Sequence, residues 1–243
     1  MNDVTISAVL KGGFTQVSND GVRFTLVSSN PRTGMDEFIV LAYGKSALFL
    51  QQHANSGDRV VIQGRLSSEK LDTDVYHTAV TANRVLSIGS GESGIDYSRA
   101  FVSGLATCDG IKTVGSGKSL ANFNIANERK YMSREGEERS YTTYLSATMW
   151  GDRALDLEQQ GLIPAADQEV MIEGLLKPRT YVNGNGEEVS KIDIWIDDLV
   201  FSQAHSSPEP RRKPNQNNNQ QEAPFEDTES APTKAKSMDS SPF

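Results

Sequence analysis

Cysteine is almost missing from this 243-residue chain. Cys108 stands alone, so neither an intramolecular disulfide nor a multi-thiolate zinc site can form, and a reducing compartment fits. Histidine is nearly as scarce, and His53, His77 and His205 lie scattered without ligand spacing, which leaves no metal centre or cofactor to expect. Long apolar runs are lacking too. No stretch approaches the roughly 20 apolar residues of a membrane span, and Met1 to Gly13 has no basic start followed by an apolar segment. A soluble, cytoplasmic protein is expected. Positive charge is also in deficit, with 24 Lys and Arg against 32 Asp and Glu. That excludes recognition of duplex DNA through broad positive charge and confines any contact with nucleic acid to a local surface.

The deficit is unevenly spread. Residues 1–90 carry 8 basic and 8 acidic side chains, residues 91–204 carry 11 and 18, and the remainder 5 and 6. Glu135, Glu137, Glu138, Glu187 and Glu188 crowd what read as hairpin tips. Residues 204–243 hold a Gln/Asn tract at Asn215 to Gln221, many prolines and serines, and few apolar groups. Such a segment has too little apolar surface to offset the entropy of ordering, so a disordered C-terminal tail is expected.

What is present is a repeat. Val4 to Leu10, Val22 to Ser28 and Glu37 to Tyr43 alternate or run apolar between turn residues, as strands do. Ser46 to Ala54 is helix-like, and Asp58 to Leu66 and Tyr76 to Ile88 return to strand character. The same order recurs in Arg99 to Leu105, Leu120 to Ala126, Tyr141 to Trp150, a helical Arg153 to Gln160, Glu169 to Leu175 and Lys191 to Phe201. Ala42-Tyr43-Gly44 answers Met149-Trp150-Gly151, and Arg59-Val60-Val61-Ile62-Gln63-Gly64 answers Glu169-Val170-Met171-Ile172-Glu173-Gly174. Gly89 to Gly94 is a short flexible joint.

Five strands with a helix between the third and fourth is the layout of an OB-fold, a small Greek-key barrel whose face and loops often bind oligonucleotides. The expectation is an all-β protein of two tandem OB-fold barrels, each five strands plus a short helix, followed by the disordered tail. The domains are residues 1–89, a linker at 90–97, residues 98–203 and the tail at 204–243.

Function has to come from the residues on the barrel face. Strand alternation puts Tyr144, Ser146, Thr148 and Trp150 on one side and Leu145, Ala147 and Met149 on the other. By the same spacing Lys177, Arg179 and Tyr181 share a side, and Tyr131 follows Arg129 and Lys130 at the start of a charged hairpin that includes Arg134. Rings stack on bases and cations meet phosphates, so this combination grips an unpaired strand without reading its sequence. Taken singly, each residue has a plainer reading, a strand Trp in the core or a solvated surface charge. The pattern is stronger than its members.

Residues 98–202 resemble the bacterial single-stranded DNA-binding protein family. The resemblance is plainest in Ala121-Asn122-Phe123-Asn124-Ile125-Ala126, in Trp150-Gly151-Asp152-Arg153-Ala154 and in Val170-Met171-Ile172-Glu173-Gly174-Leu175-Leu176-Lys177. It implies that Tyr131, Tyr144, Trp150 and Tyr181 are base-stacking positions, with Arg129, Lys130, Arg134, Lys177 and Arg179 as phosphate contacts. Residues 1–90 resemble the family weakly, through Gly57 to Leu66, and depart from it where bases would stack. Arg32, Glu37 and Leu71 stand opposite Tyr131, Tyr144 and Tyr181, and only Tyr43, opposite Trp150, keeps a ring. A mainly architectural first barrel is expected, with Lys11, Arg32, Tyr43, Arg65 and Lys70 as weaker contacts.

The resemblance also implies four barrels per assembly, hence a homodimer of two-barrel chains, and a partner-binding tip. The terminus Ser237-Met238-Asp239-Ser240-Ser241-Pro242-Phe243 is similar to that tip, with Asp239, Pro242 and Phe243 as its contact residues for replication, recombination and repair proteins. Its charge is sparse, since Asp239 and the terminal carboxylate are the only negative groups in the last six residues.

Other classes stay open. An RNA- or tRNA-binding OB protein would carry the same rings, because the discriminating contact is to the 2′-hydroxyl. An interaction hub would use the barrels only to dimerise. Enzymatic activity is not expected. Asp193, Asp197 and Asp198 are the only inviting carboxylates, and a solvated strand edge explains them. Gly115 to Ser119 ends in Gly-Lys-Ser but lacks the upstream glycine of a phosphate loop.

Overall fold

The computed structural model describes residues 1–32, 34–70, 75–92, 94–115, 117–133, 135–163 and 168–202. The segment expected to be a disordered tail, 204–243, lies outside the described residues. The elements run β1 (Asn2–Ser18), β2 (Gly21–Asn30), β3 (Gly34–Tyr43), α1 (Gly44–His53), β4 (Asp58–Lys70) and β5 (Tyr76–Ser90). They continue as β6 (Tyr97–Thr113), β7 (Ser119–Met132), β8 (Glu138–Trp150), α2 (Asp152–Gln159), β9 (Gln168–Val182) and β10 (Glu188–Phe201). No helix among the described residues is long and apolar enough to cross a membrane.

Each half closes on itself. In the first, β1 pairs with β2, β2 with β3, β3 in parallel with β5, β5 with β4, and β4 again with β1. In the second, β6, β7, β8, β10 and β9 repeat that circuit, with β8 and β10 as the parallel pair. Both are OB-type barrels. Closure leaves no open edge within either ring.

Alternation builds the interiors. Ile6, Leu10, Leu26, Phe38, Ile62 and Leu66 are fully buried in the first barrel, and Phe123, Ile125, Ile172 and Leu176 in the second. Fully burying one such side chain contributes about 1.5–3 kcal/mol relative to leaving it exposed. Each helix adds little more than a plug, Ala47 and Leu50 from α1 and Ala154 from α2. Gly44 and Gly151 start these helices at φ 56° and 75°, a region that other residues rarely adopt. Gly64 and Gly174 answer a different need. A Cβ there would collide with the carbonyl oxygens of Thr81 and Trp195 on the neighbouring strand.

The strands are longer than the apolar alternation indicates. β1 runs to Ser18 and β6 to Thr113, well beyond Leu10 and Leu105. In those extensions the backbone stays paired across bulges, at Lys11/Thr15 and Gln16/Ser18 in β1 and Cys108/Ile111 in β6. Side chains on both faces of the β1 extension are largely exposed, and those of the β6 extension are mostly half-buried or exposed without alternation, so pairing continues where the period-two signal stops.

The two barrels form one compact unit. β1 and β6 pair antiparallel, with Val4 opposite Ala100, Asp3 opposite Phe101 and Thr5 opposite Arg99. Val4 also faces Gly64, and Ala100 faces Gly174, so Val4 and Ala100 are equivalent positions that pair with one another. The join is therefore self-complementary, as in a two-fold dimer interface made within a single chain. Further ties cross it. Lys177 reaches the buried Asp36 at 2.6 Å, Asp197 accepts from Arg32 at 2.8 Å, and the Ser190 N–H donates to His77 Nδ1 at 3.0 Å. Between the barrels, Asp96 receives the Arg59 guanidinium and the Ser29 N–H.

Candidate nucleic-acid interface

The outer face of the second barrel starts with β8. Leu145, Ala147 and Met149 are 3%, 1% and 2% exposed, whereas Tyr144 is 75% and Trp150 39% exposed. Parallel pairing sets Asp193 beside Ser146 and Trp195 beside Thr148. The Trp195 ring meets that of Trp150 edge-on, with centroids 6.0 Å apart. On the next strand Lys177, opposite Asp193, holds its ammonium 5.9 Å from the Trp195 centroid, and Arg179 lies 5.3 Å over the Tyr181 ring. Tyr144, Trp150, Trp195 and Tyr181 thus share one side of the barrel with Lys177 and Arg179. Trp195 is a residue that the sequence reading missed. The alternation Ile192, Ile194, Ile196 points to it, since all three are buried and the residues between them turn outward.

Tyr131 stands apart. Along the hairpin Ala126 opposes Tyr144, Arg129 opposes Tyr141 and Tyr131 opposes Arg139, without a register shift. Directly opposed residues share a face and neighbours alternate. Tyr131, Arg129 and Tyr141 therefore lie across the ribbon from Tyr144 and Trp150. They line a groove with Arg65, Ser67 and Glu69 of β4. Lys130 remains on the outer side with Tyr144. Arg134 lies outside the described residues.

Most of the cations are already engaged. Lys177 is bound to Asp36, Arg179 to Asp193 at 2.5 Å, and Lys130 to Glu138 at 3.4 Å. Burial lifts the Asp193 carboxyl above its ordinary value, although Arg179 pulls it the other way. Burial likewise lowers Lys191, helped by the charge of Arg179. A phosphate arriving here competes with protein carboxylates as well as with counterions.

The weaker candidates of the first barrel divide the same way. Lys11 pairs with Glu37 at 2.6 Å and Arg32 with Asp197. Lys70 lies 5.3 Å from the Tyr76 ring. Tyr43 is 40% exposed, but one side of its ring is laid on Gly21, where an added Cβ would come within 2.6 Å of it. Burial raises its hydroxyl above the usual value. Trp150 instead has Leu120 as its cross-strand neighbour. Arg65 donates a hydrogen bond to Asn83 Oδ1 at 3.2 Å and has no ion pair among the described residues. Leu71, Asp239, Pro242 and Phe243 lie outside the described residues. Among the described residues no group of three or more His, Cys, Asp or Glu could hold a metal ion.

Residues 101–202 match the model of the single-strand binding protein family. The match spans the second barrel from β6 to β10. A curated relative, the single-stranded DNA-binding protein of Paenarthrobacter aurescens, is 26% identical over 110 residues, covering 44% of this chain. The chain spans 63% of that relative's length. The wild-type single-stranded DNA-binding protein of Thermus aquaticus has a similar structure, with TM-score 0.62 and 12% identity, covering 86% of this chain and 97% of that one. A deletion variant of it gives TM-score 0.62 and 15% identity, covering 86% and 98%. At these identities the likeness is one of fold, and it extends beyond the family match to most of the chain, both barrels included.

Proposed function

We propose that this protein binds single-stranded DNA without sequence specificity, coating and protecting it by base stacking and phosphate contact. The observation that carries the reading is the outer face of the family-matched barrel, where Tyr144, Trp150, Trp195 and Tyr181 stand among Lys177 and Arg179. Base–aromatic stacking is worth about 1–3 kcal/mol per base, so four rings supply on the order of 4–12 kcal/mol before the costs of ordering the strand. Cations add a salt-dependent share, with a slope of about −0.7 per neutralised phosphate on a single strand. Because Lys177, Arg179 and Lys130 begin in ion pairs, that slope should fall below the number of nearby cations.

The roles proposed for individual residues follow. Tyr131, Tyr144, Trp150 and Tyr181 stack, joined by Trp195 beside Trp150; Arg129, Lys130, Arg134, Lys177 and Arg179 meet phosphates. Asp239, Pro242 and Phe243 form a tip for replication, recombination or repair proteins, suited to a pocket with an apolar floor and a cationic rim. Two chains pair to present four barrels. The activity is binding rather than catalysis. Competition between oligo-dT and oligo-U against a labelled strand tests the ligand class; preference for oligo-dT supports the reading, and preference for oligo-U replaces it with RNA binding.

A further inference from the structure

Between β4 of the first barrel and the β7–β8 hairpin of the second lies a groove of about 600 Å³, lined by Arg65, Ser67, Glu69, Arg129, Tyr131 and Tyr141. Its lining carries two guanidinium groups against one carboxylate. Among the described residues no carboxylate lies within ion-pair distance of Arg65 or Arg129, whereas Lys11, Arg32, Arg59, Arg99, Lys177 and Arg179 all have one. The two unpaired guanidinium groups sit close enough for Arg129 to disfavour the charge of Arg65, second only to burial. Like charges held together without an ion pair leave a repulsion that a bound anion would relieve. Glu69, also in the lining, opposes the effect of Arg129 on Arg65 but ranks below it.

The walls are equally specific. Tyr131 is 44% and Tyr141 49% exposed. The Tyr141 hydroxyl donates to the Ser68 carbonyl at 3.3 Å, so that ring is fixed across the barrel junction. Tyr131 has no such tie among the described residues. A fixed wall, a free ring and two convergent cations make a site for one nucleotide, its phosphate between the arginines and its base on Tyr131.

We infer that this groove is a composite nucleotide-binding site, in which Arg65 of the first barrel and Arg129 of the second share one phosphate of a single strand whose base stacks on Tyr131. The inference rests on the single-strand binding reading and adds to it. The first barrel contributes a contact of its own, and the strand's path leaves the outer face at the hairpin and turns toward β4. Arg65 therefore carries more than the weak accessory contact its sequence context implies.

The test uses the full chain titrated with labelled oligo-dT at two salt concentrations, with Arg65→Ala, Arg129→Ala, the double variant and Tyr144→Ala. Arg65→Ala should weaken binding about tenfold at low salt, the loss of a charge-assisted hydrogen bond, and flatten the salt slope by about 0.7. Its melting temperature should not fall, since the change relieves the repulsion from Arg129. The double variant should lose less than the sum of the two single losses, because both arginines serve the same phosphate. Unchanged affinity and salt slope in Arg65→Ala, or strictly additive losses, would overturn the composite site. If Tyr144→Ala weakens binding while Arg65→Ala does not, only this inference fails; if neither does, the single-strand reading fails with it.

Discussion

Replacing Tyr144 by Ala separates stacking from folding more cleanly than any other change on the outer face. Three quarters of Tyr144 is already exposed, while its neighbours Leu145 and Thr143 are buried. Removal of the ring therefore takes little from the core, and stability should change by no more than about 0.5 kcal/mol. A base stacked on that ring loses about 1–3 kcal/mol, which raises Kd about 5- to 150-fold. The loss is a stacking term, so the ratio of variant to wild-type Kd should stay constant between low and high salt. Fluorescence anisotropy with labelled oligo-dT measures it, and thermal melting checks the fold. Tyr97→Ala is the control, an exposed ring on β6 next to the barrel junction, and should leave affinity unchanged. A Tyr144→Ala protein that melts like wild type and binds within twofold of it would refute the stacking argument.

Asp193→Asn should free Arg179 and remove a negative charge from the face, tightening single-strand binding and steepening its salt dependence in the same titration. Burial holds the Asp193 carboxyl above the ordinary range, so the folded barrel binds that proton more tightly than the unfolded chain. Its contribution to stability therefore declines as pH rises from the ordinary carboxylate range through the raised one, a slope that denaturant titration should find flattened in Asp193→Asn. Gly174→Ala forces a methyl group against the Trp195 carbonyl and should cost at least about 1–3 kcal/mol, read as a lowered denaturation midpoint. Deleting the last eight residues should abolish capture of replication or repair proteins in a pull-down while leaving oligo-dT binding intact; retained capture would remove the tip from the account. Light scattering should return the mass of a two-chain assembly, and a monomer mass would contradict the four-barrel arrangement.

The strands and the repeat were legible because burial imposes a period of two on each barrel wall, as in Leu145, Ala147 and Met149. The helix starts were legible because Gly44 and Gly151 are required by backbone conformation. The outward direction of Tyr144 and Trp150 followed from the same alternation. What stayed hidden depends on partners far away in sequence. Lys177 and Asp36 are 141 residues apart and Arg32 and Asp197 are 165 apart, and no local pattern announces such pairs. The side on which Tyr131 lies stayed hidden because the apolar alternation of β7, marked by Ala121, Phe123 and Ile125, stops short of it, whereas the strand continues to Met132. Trp195 is legible from the isoleucines on either side of it that mark the interior.

Titration of intrinsic tryptophan fluorescence with poly-dT at two salt concentrations tests the central claim most directly, because Trp150 and Trp195 lie together on the outer face. Stacking predicts quenching that saturates at both salt concentrations, with the same final depth and a weaker apparent affinity at the higher one. Tight binding with tryptophan emission unchanged, or quenching lost altogether at the higher salt, would show that charge alone holds the strand and that the rings take no part.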